Sequence, residues 1–258
     1  MPPQNSADSV VVPAIRTGSS TTFTRALGKK GVRTIAVSET PSPPIFQSRY
    51  CDETHLMPSP FEGLTGYRDA LLAIAERPNV RTIAPLGEPD IYVLAKYRDE
   101  FEEHIATPWM ILGAVEETQD RYQLFEAARS VDVPVPETRP LDEWEDWDRE
   151  TVLKSRYSIL VENEEAFYPD VEFVPPGVEP DGEAIVSHMR HEPMVQEYVP
   201  GDGEYGFFAL FDRGSPLATF QHRRIRSYTY SGGASVFRES INDPQLESAD
   251  LRLLDSLD

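Results

Sequence analysis

A chain of 258 residues with 44 acidic and 24 basic side chains has a formal charge of −20, which sets its surface against nucleic acid and anionic membranes. Its 40% apolar and 26% charged residues are a globular balance, long enough for one large domain or two modest ones. The single Cys51 excludes an internal disulfide and a cysteine-built zinc site, and no run of about 18 apolar residues occurs; the Pro/Asn/Ser/Asp character of the first residues carries no expectation of a leader peptide. The expectation is a soluble cytoplasmic protein, its acid excess and few lysines suiting a halophilic, haloarchaeal source.

Ser9–Ile15 is a continuous apolar run, the mark of a buried strand, with Pro13 as an awkward member. A turn at Arg16–Ser20 leads into a helix with Phe23, Ala26 and Leu27 on one face, stopped by Gly28–Gly31. Thr34–Val37 is the next buried strand. Strand, turn, helix, strand is a βαβ opening and implies a parallel sheet. Free N–H groups at Ser19 and Ser20 could hold an anion. Gly18 stands alone where a dinucleotide fingerprint wants three glycines, and Glu39 is the one acid near the second strand's end. A nicotinamide-dependent oxidoreductase is therefore a weak reading.

Pro41–Pro60 reads as loop, Leu64–Ala75 as an amphipathic helix, and Val80–Leu86 as a third strand running into Gly87 and Glu88. Ligands in open α/β sheets gather at the carboxyl ends of strands, so Glu88 is a candidate substrate-side residue. An acid that favours a helix N-terminus would look the same. Ile91–Phe101 is helical, and Ala106–Pro108 marks a boundary between residues 1–107 and 108–258. Thr118–Ser130 follows as a helix with Tyr122, Leu124, Phe125 and Ala128 inward. Thr151–Lys154 is a short strand that delivers one lysine. Asn163–Pro180 reads as an acidic, proline-rich loop and Ala184–Arg190 as a short helix. His188 and His191 lie at helical spacing with no third ligand, so they read as surface residues rather than metal ligands.

Glu192–Arg226 is the most informative stretch. An extended run, Met194–Val199, is followed by the glycine turn Gly201–Gly203, a strand at Tyr205–Phe211 and a tight turn at Asp212–Ser215. The returning run, Leu217–Phe220, ends in His222, Arg223, Arg224 and Arg226. So many cations in so acidic a chain point to an anion such as the phosphates of a nucleotide; an ion-paired surface strand is the alternative. Strict alternation would put His222, Arg224 and Arg226 on one face and Arg223 and Ile225 on the other. The backbone of Gln196–Val199 could bracket the edge of an adenine. Glu204, a glycine turn beyond Glu197, could accept ribose hydroxyls, although both acids could also be plain surface. Lys154 at a strand end suits an α/β-phosphate, and Arg121 would be a second phosphate partner.

In order, the βαβ opening, Asp120-Arg121, VPVPET at Val133–Thr138, TVLK ending in Lys154, QEYVPG at Gln196–Gly201, Glu204 and HRRIR at His222–Arg226 resemble the ATP-grasp superfamily. The resemblance is to its carboxylate–amine ligases and their relatives carbamoyl-phosphate synthetase and biotin carboxylase, over nearly the whole chain. It implies a fold of α/β and α+β parts: a Rossmann-like pre-ATP-grasp domain at residues 1–107, then an ATP-grasp domain at 108–258. It implies ATP held by Arg121, Lys154, Glu197, Tyr198, Val199 and Glu204, with Arg224 and Arg226 acting on the γ-phosphate or a carboxylate. A small-molecule carboxylate and an amine would be joined through an acyl phosphate, with a loop at Tyr230–Ser235 beside the acceptor. A homodimer is compatible with this reading.

Two departures accompany the resemblance. The glycine-rich flap usual after the strand lysine is absent, Gly177 being the first glycine after Lys154. Magnesium is implied, yet the acid and the Glu-x-Asn that hold it in relatives have no counterpart before Asp258. The expectation is an incomplete ATP-grasp domain in a C-terminally truncated chain. A non-catalytic nucleotide-binding module is the alternative.

Overall fold

A computed structural model describes residues 8–15, 18–168, 171–201, 203–229 and 232–257. Two compact units emerge: residues 1–119 with 158–168, and residues 120–157 with 169–258. The sequence suggested a division after residue 107, but the first unit continues through Gln119. Its last helix buries Val115, and just before it Trp109 is tied in by a hydrogen bond from its indole N–H to the Leu94 carbonyl at 3.0 Å.

In the first unit, β1 (Ser9–Pro13), β2 (Arg33–Ser38), β3 (Glu53–Leu56) and β4 (Val80–Ile83) form a parallel sheet of order β3-β2-β1-β4. The helices are α1 (Ser19–Lys29), α2 (Leu64–Ala75), α3 (Glu88–Lys96), α4 (Arg98–Glu102) and α5 (Leu112–Gln119). The middles of the central strands, residues 10–12 and 35–37, are apolar because both faces are covered. Val11, Ile35 and Val37 pack with Leu71 of α2, Val93 of α3 and Phe101 of α4, while Val12 and Ala36 meet Phe23 and Leu27 of α1. Each such buried side chain stabilises by roughly 1.5–3 kcal/mol. Pro13 closes β1 opposite Val37, at the strand's end.

Two expectations fail here. On α1, Ser20 and Thr24 are buried and Ala26 is exposed, so the inward face is more polar than hydrophobic spacing suggests. Pro41–Pro60 is not all loop, since it contains β3. This edge strand has little apolar content and is held by charge: Glu53 accepts from Arg33 at 2.5 Å and from Arg77 at 2.7 Å.

The second unit begins with α6 (Arg121–Ser130), β5 (Thr138–Pro140) and β6 (Thr151–Lys154). The chain then returns to the first unit as a hairpin, β7 (Leu160–Glu162) and β8 (Glu165–Phe167), whose neighbouring Ile159 and whose Ala166 join the main core. Its turn residues Asn163 and Glu164 both have positive φ, 49° and 65°, the pattern of a two-residue hairpin turn made without glycine. The Glu164 carboxylate accepts from Lys96 at 2.7 Å and from the Tyr97 hydroxyl at 3.0 Å. Part of the expected Asn163–Pro180 loop is thus strand, as is β9 (Glu172–Val174) beyond it.

After α7 (Gly182–Met189), β10 (Met194–Glu197) completes an antiparallel sheet of order β5-β10-β6-β9. One face carries Leu153 and Val195 into a core with Trp144, Val174 and Ile185. By the strand period, the other face presents Val152, Lys154, Met194 and Gln196. A separate antiparallel sheet follows, of order β11-β12-β13: β11 (Glu204–Asp212), β12 (Ser215–Thr229) and β13 (Gly232–Ser240). Helix α8 (Pro244–Asp255) packs against β11. The α/β part and the antiparallel part are therefore both present, in the expected order. Among the described residues no helix is long and apolar enough to cross a membrane.

Candidate functional site

Pairing of β6 with β10 places Lys154 opposite Met194 and Val152 opposite Gln196, so Lys154 and Gln196 share a face. Lys154 Nζ donates to Gln196 Oε1 at 2.6 Å, and Gln196 Nε2 donates to Thr138 Oγ1 at 3.1 Å. Burial holds the Lys154 ammonium below the usual lysine range; Arg121 pushes it the same way and Glu204 opposes. A partly desolvated cation with a second cation close by is a setting that an anion would relieve.

Arg121 is placed by its neighbours. Asp120 caps α6, accepting from the Tyr122 N–H at 3.0 Å, and Arg156 grips the same carboxylate through Nε at 3.0 Å and Nη2 at 2.6 Å. Burial raises the Asp120 carboxyl, but the donors from Arg156, Gln123 and the Tyr122 N–H outweigh it, so the group lies below its ordinary range. Arg121 Nη1 donates to the carbonyls of Ser155 at 2.5 Å and Tyr157 at 3.0 Å. His191 Nε2 accepts from the Arg156 N–H at 3.2 Å, which leaves Nδ1 to donate to the Met189 carbonyl at 2.6 Å. His191 is thus a half-buried brace and not a surface residue. The segment after Lys154 is fastened on both sides where a glycine-rich flap would be loose.

On the second sheet, Glu204 lies opposite Arg224 and forms an ion pair with it. His222 is buried against Phe208 and Phe220, with ring centroids at 5.3 and 6.2 Å. A Cβ on Gly206 would come within 2.9 Å of that imidazole, so a larger residue there would push the ring aside. Burial, then Arg238 and Arg224, lower the His222 pKa. Arg224 pairs with Arg238 but Arg226 pairs with Phe237, so the register slips at Ile225. This bulge breaks the alternation that put Arg224 and Arg226 on one face.

The structure gathers Arg121, Lys154, Gln196, Glu204 and Arg224. It does not add the Glu197 carboxylate, which lies on the opposite face of β10, accepting from the Glu137 N–H at 2.8 Å with Arg149 at 3.4 Å. Tyr198 and Val199 are exposed at the end of β10, with the Tyr198 N–H donating to the Glu150 carbonyl at 3.1 Å. Sequence reasoning gave no role to the side chains of Gln196, Asp120 and Arg156, although Asp120 and Gln196 stand within the stretches that carry the resemblance. Gln196 also left a signal of its own, an amide within a buried apolar strand. Glu88 accepts from Gln119 Nε2 at 3.2 Å, and the Ser20 hydroxyl accepts from the Ile15 N–H at 3.3 Å. Arg16, Thr17, Asp202, Tyr230 and Ser231 lie outside the described residues.

Among the described residues no group of three His, Cys, Asp or Glu could hold a metal ion, and Glu204 is already paired with Arg224.

The fold is shared with several solved ligases and synthetases. N5-carboxyaminoimidazole ribonucleotide synthetase, solved as its ADP complex, matches with a TM-score of 0.65 at 15% identity, over 97% of this chain and 63% of that one. L-amino acid ligase from Bacillus licheniformis matches at 0.62 and 11% identity, over 97% and 60%. Phosphoribosylglycinamide synthetase from Anaerococcus prevotii matches at 0.59 and 14% identity, over 97% and 62%. The chain spans a little under two-thirds of the length of these proteins. No protein-family model and no curated protein matches it. At such identities the common property is the fold, here a parallel four-stranded sheet followed by antiparallel sheets.

Proposed function

We propose that the chain belongs to an ATP-dependent ligase that joins a carboxylate to an amine through an acyl phosphate. The observation that carries this reading is that two cations, Lys154 and Arg121, feel one another's charge beside a braced segment, with Glu204 acting on Lys154 and paired to Arg224. The ADP bound by a protein of the same fold supports it. In this reading Lys154 and Arg121 neutralise the α- and β-phosphates, and Arg224 meets the γ-phosphate or the substrate carboxylate. Glu204 accepts the ribose hydroxyls, and the exposed strand end at Tyr198 and Val199 borders the adenine. A carboxylate oxygen attacks the γ-phosphorus and ADP departs; the amine then displaces phosphate from the acyl carbon. Phosphoryl transfer asks mainly for positioning and charge neutralisation, which fixed cations supply.

Titration calorimetry with ADP tests the site. Lys154→Ala should weaken ADP binding by about 10- to 100-fold, the loss of one charge-assisted contact. Unchanged affinity would remove Lys154 from the site. A second reading is a nucleotide-binding module without catalysis, in which Glu204 stays paired with Arg224. Trapping an acyl phosphate with hydroxylamine separates the two, because only the ligase yields a hydroxamate.

A further inference from the structure

The first unit holds a cavity of about 560 Å3 at the carboxyl ends of β1, β2 and β4, within the range of small-molecule sites. Its walls are mostly apolar, with Ile15, Met57, Phe61, Leu86 and Tyr168 among them, and the Phe61 and Tyr168 rings lie 5.4 Å apart. A helix N-terminus here, that of α3, would ordinarily invite an anion. It is already occupied. Asp90 accepts from the Gly87 N–H at 2.8 Å, the Leu86 N–H at 3.3 Å and the Tyr67 hydroxyl, all inside the protein. The other acids on the wall are Glu39, which accepts from Ser59, and Glu88, which accepts from Gln119. Each carboxylate has about four acceptor positions, so both can take further donors. No described lysine or arginine lines the cavity.

We infer that this cavity takes the amine substrate, a primary ammonium on an apolar body without a carboxylate of its own. The ammonium turns to Glu39 and Glu88, and the body lies against Phe61 and Tyr168. A phosphate or carboxylate would meet two like charges and no cation among the described residues. The inference deepens the ligase reading and rests on it for the word substrate.

Thermal shift on the whole chain at low salt tests the inference, with 2-phenylethylamine, ethylamine, phenylalanine and 3-phenylpropionate as probes and ADP as a separate arm. 2-Phenylethylamine should raise Tm by about 3 °C when present at about ten times its Kd. The other three should shift it less. Glu39→Gln and Glu88→Gln should each weaken the amine at least about fivefold while keeping the wild-type response to ADP. An equal or larger shift from 3-phenylpropionate, phenylalanine or ethylamine would overturn the inference. So would no shift with 2-phenylethylamine, or one undiminished in both variants. Amine binding with no ADP binding would uphold the cavity's selectivity and reject the ligase; ADP binding alone would reject the cavity.

Discussion

Asp120 in the second unit and Asp90 in the first each stand at the start of a helix, and their surroundings send them opposite ways. Asp120 caps α6 and is gripped by Arg156, so its carboxyl lies below the ordinary range although burial opposes this. Asp90 sits in the first turn of α3 with only neutral donors, the Tyr67 hydroxyl and two N–H groups, and burial raises its carboxyl. Burial alone favours the neutral acid, and a guanidinium in contact reverses the sign. The same contrast separates the regions around them. Beside Asp120 the protein collects cations and braces them against carbonyls; beside Asp90 it satisfies its own helix end and leaves apolar walls with two acids.

The most severe way to break that contrast is Asp120→Ala. It removes the α6 cap and leaves Arg156 without its partner, so urea denaturation should show a loss of about 3 kcal/mol. ADP affinity should fall with it as Arg121 loses its anchor. A loss below about 1 kcal/mol would mean the pair adds nothing beyond the cap.

A sharper comparison uses Asp120→Asn and Asp90→Asn across pH. The lowered Asp120 carboxyl contributes stability above the ordinary aspartate pKa of about 3.9, lost as pH falls through its folded value. The raised Asp90 carboxyl contributes below about 3.9 and loses that contribution as pH rises through its folded value. From acid to neutral pH, the deficit of Asp120→Asn should therefore grow and that of Asp90→Asn should shrink. Parallel slopes in chemical denaturation would refute the assignment.

Lys154 gives a smaller effect. Its protonated form binds phosphate and its pKa lies below the ordinary 10.5, so ADP affinity should decline with rising pH before an ordinary lysine would titrate. In Lys154→Arg the decline should vanish from that range. The smallest change is expected from Glu197→Gln. Because that carboxylate holds the Glu137 N–H on the far face, ADP affinity should move less than about threefold while stability drops by about 1 kcal/mol. A tenfold loss of affinity would return Glu197 to the nucleotide.

What the sequence disclosed was local. The apolar runs of β1 and β2, the spacing on α2, the strand carrying Lys154 and the turn at Arg213-Gly214 each follow from neighbours a few residues apart. The rest depended on distant partners. β3 is held by Arg33 and Arg77 rather than by apolar alternation. The Asp120–Arg156 pair joins residues 36 positions apart, and the bulge at Ile225 is set by β13. Among the candidate residues, a strand-end lysine and a cross-strand acid–arginine pair could be anticipated. Which face Glu197 takes could not, because a β-strand's direction is settled by the sheet it joins.

The β7–β8 hairpin has a consequence for how the molecule is made. The first unit is completed by Ile159 and Ala166, which follow β6 of the second in the chain. A ribosome delivering the polypeptide from its N-terminus finishes one module only after the other is under way, so their maturation is interleaved. Severing the chain at Gln119 would strip the leading module of a finger that it needs and hand the trailing one two greasy side chains with nowhere to go.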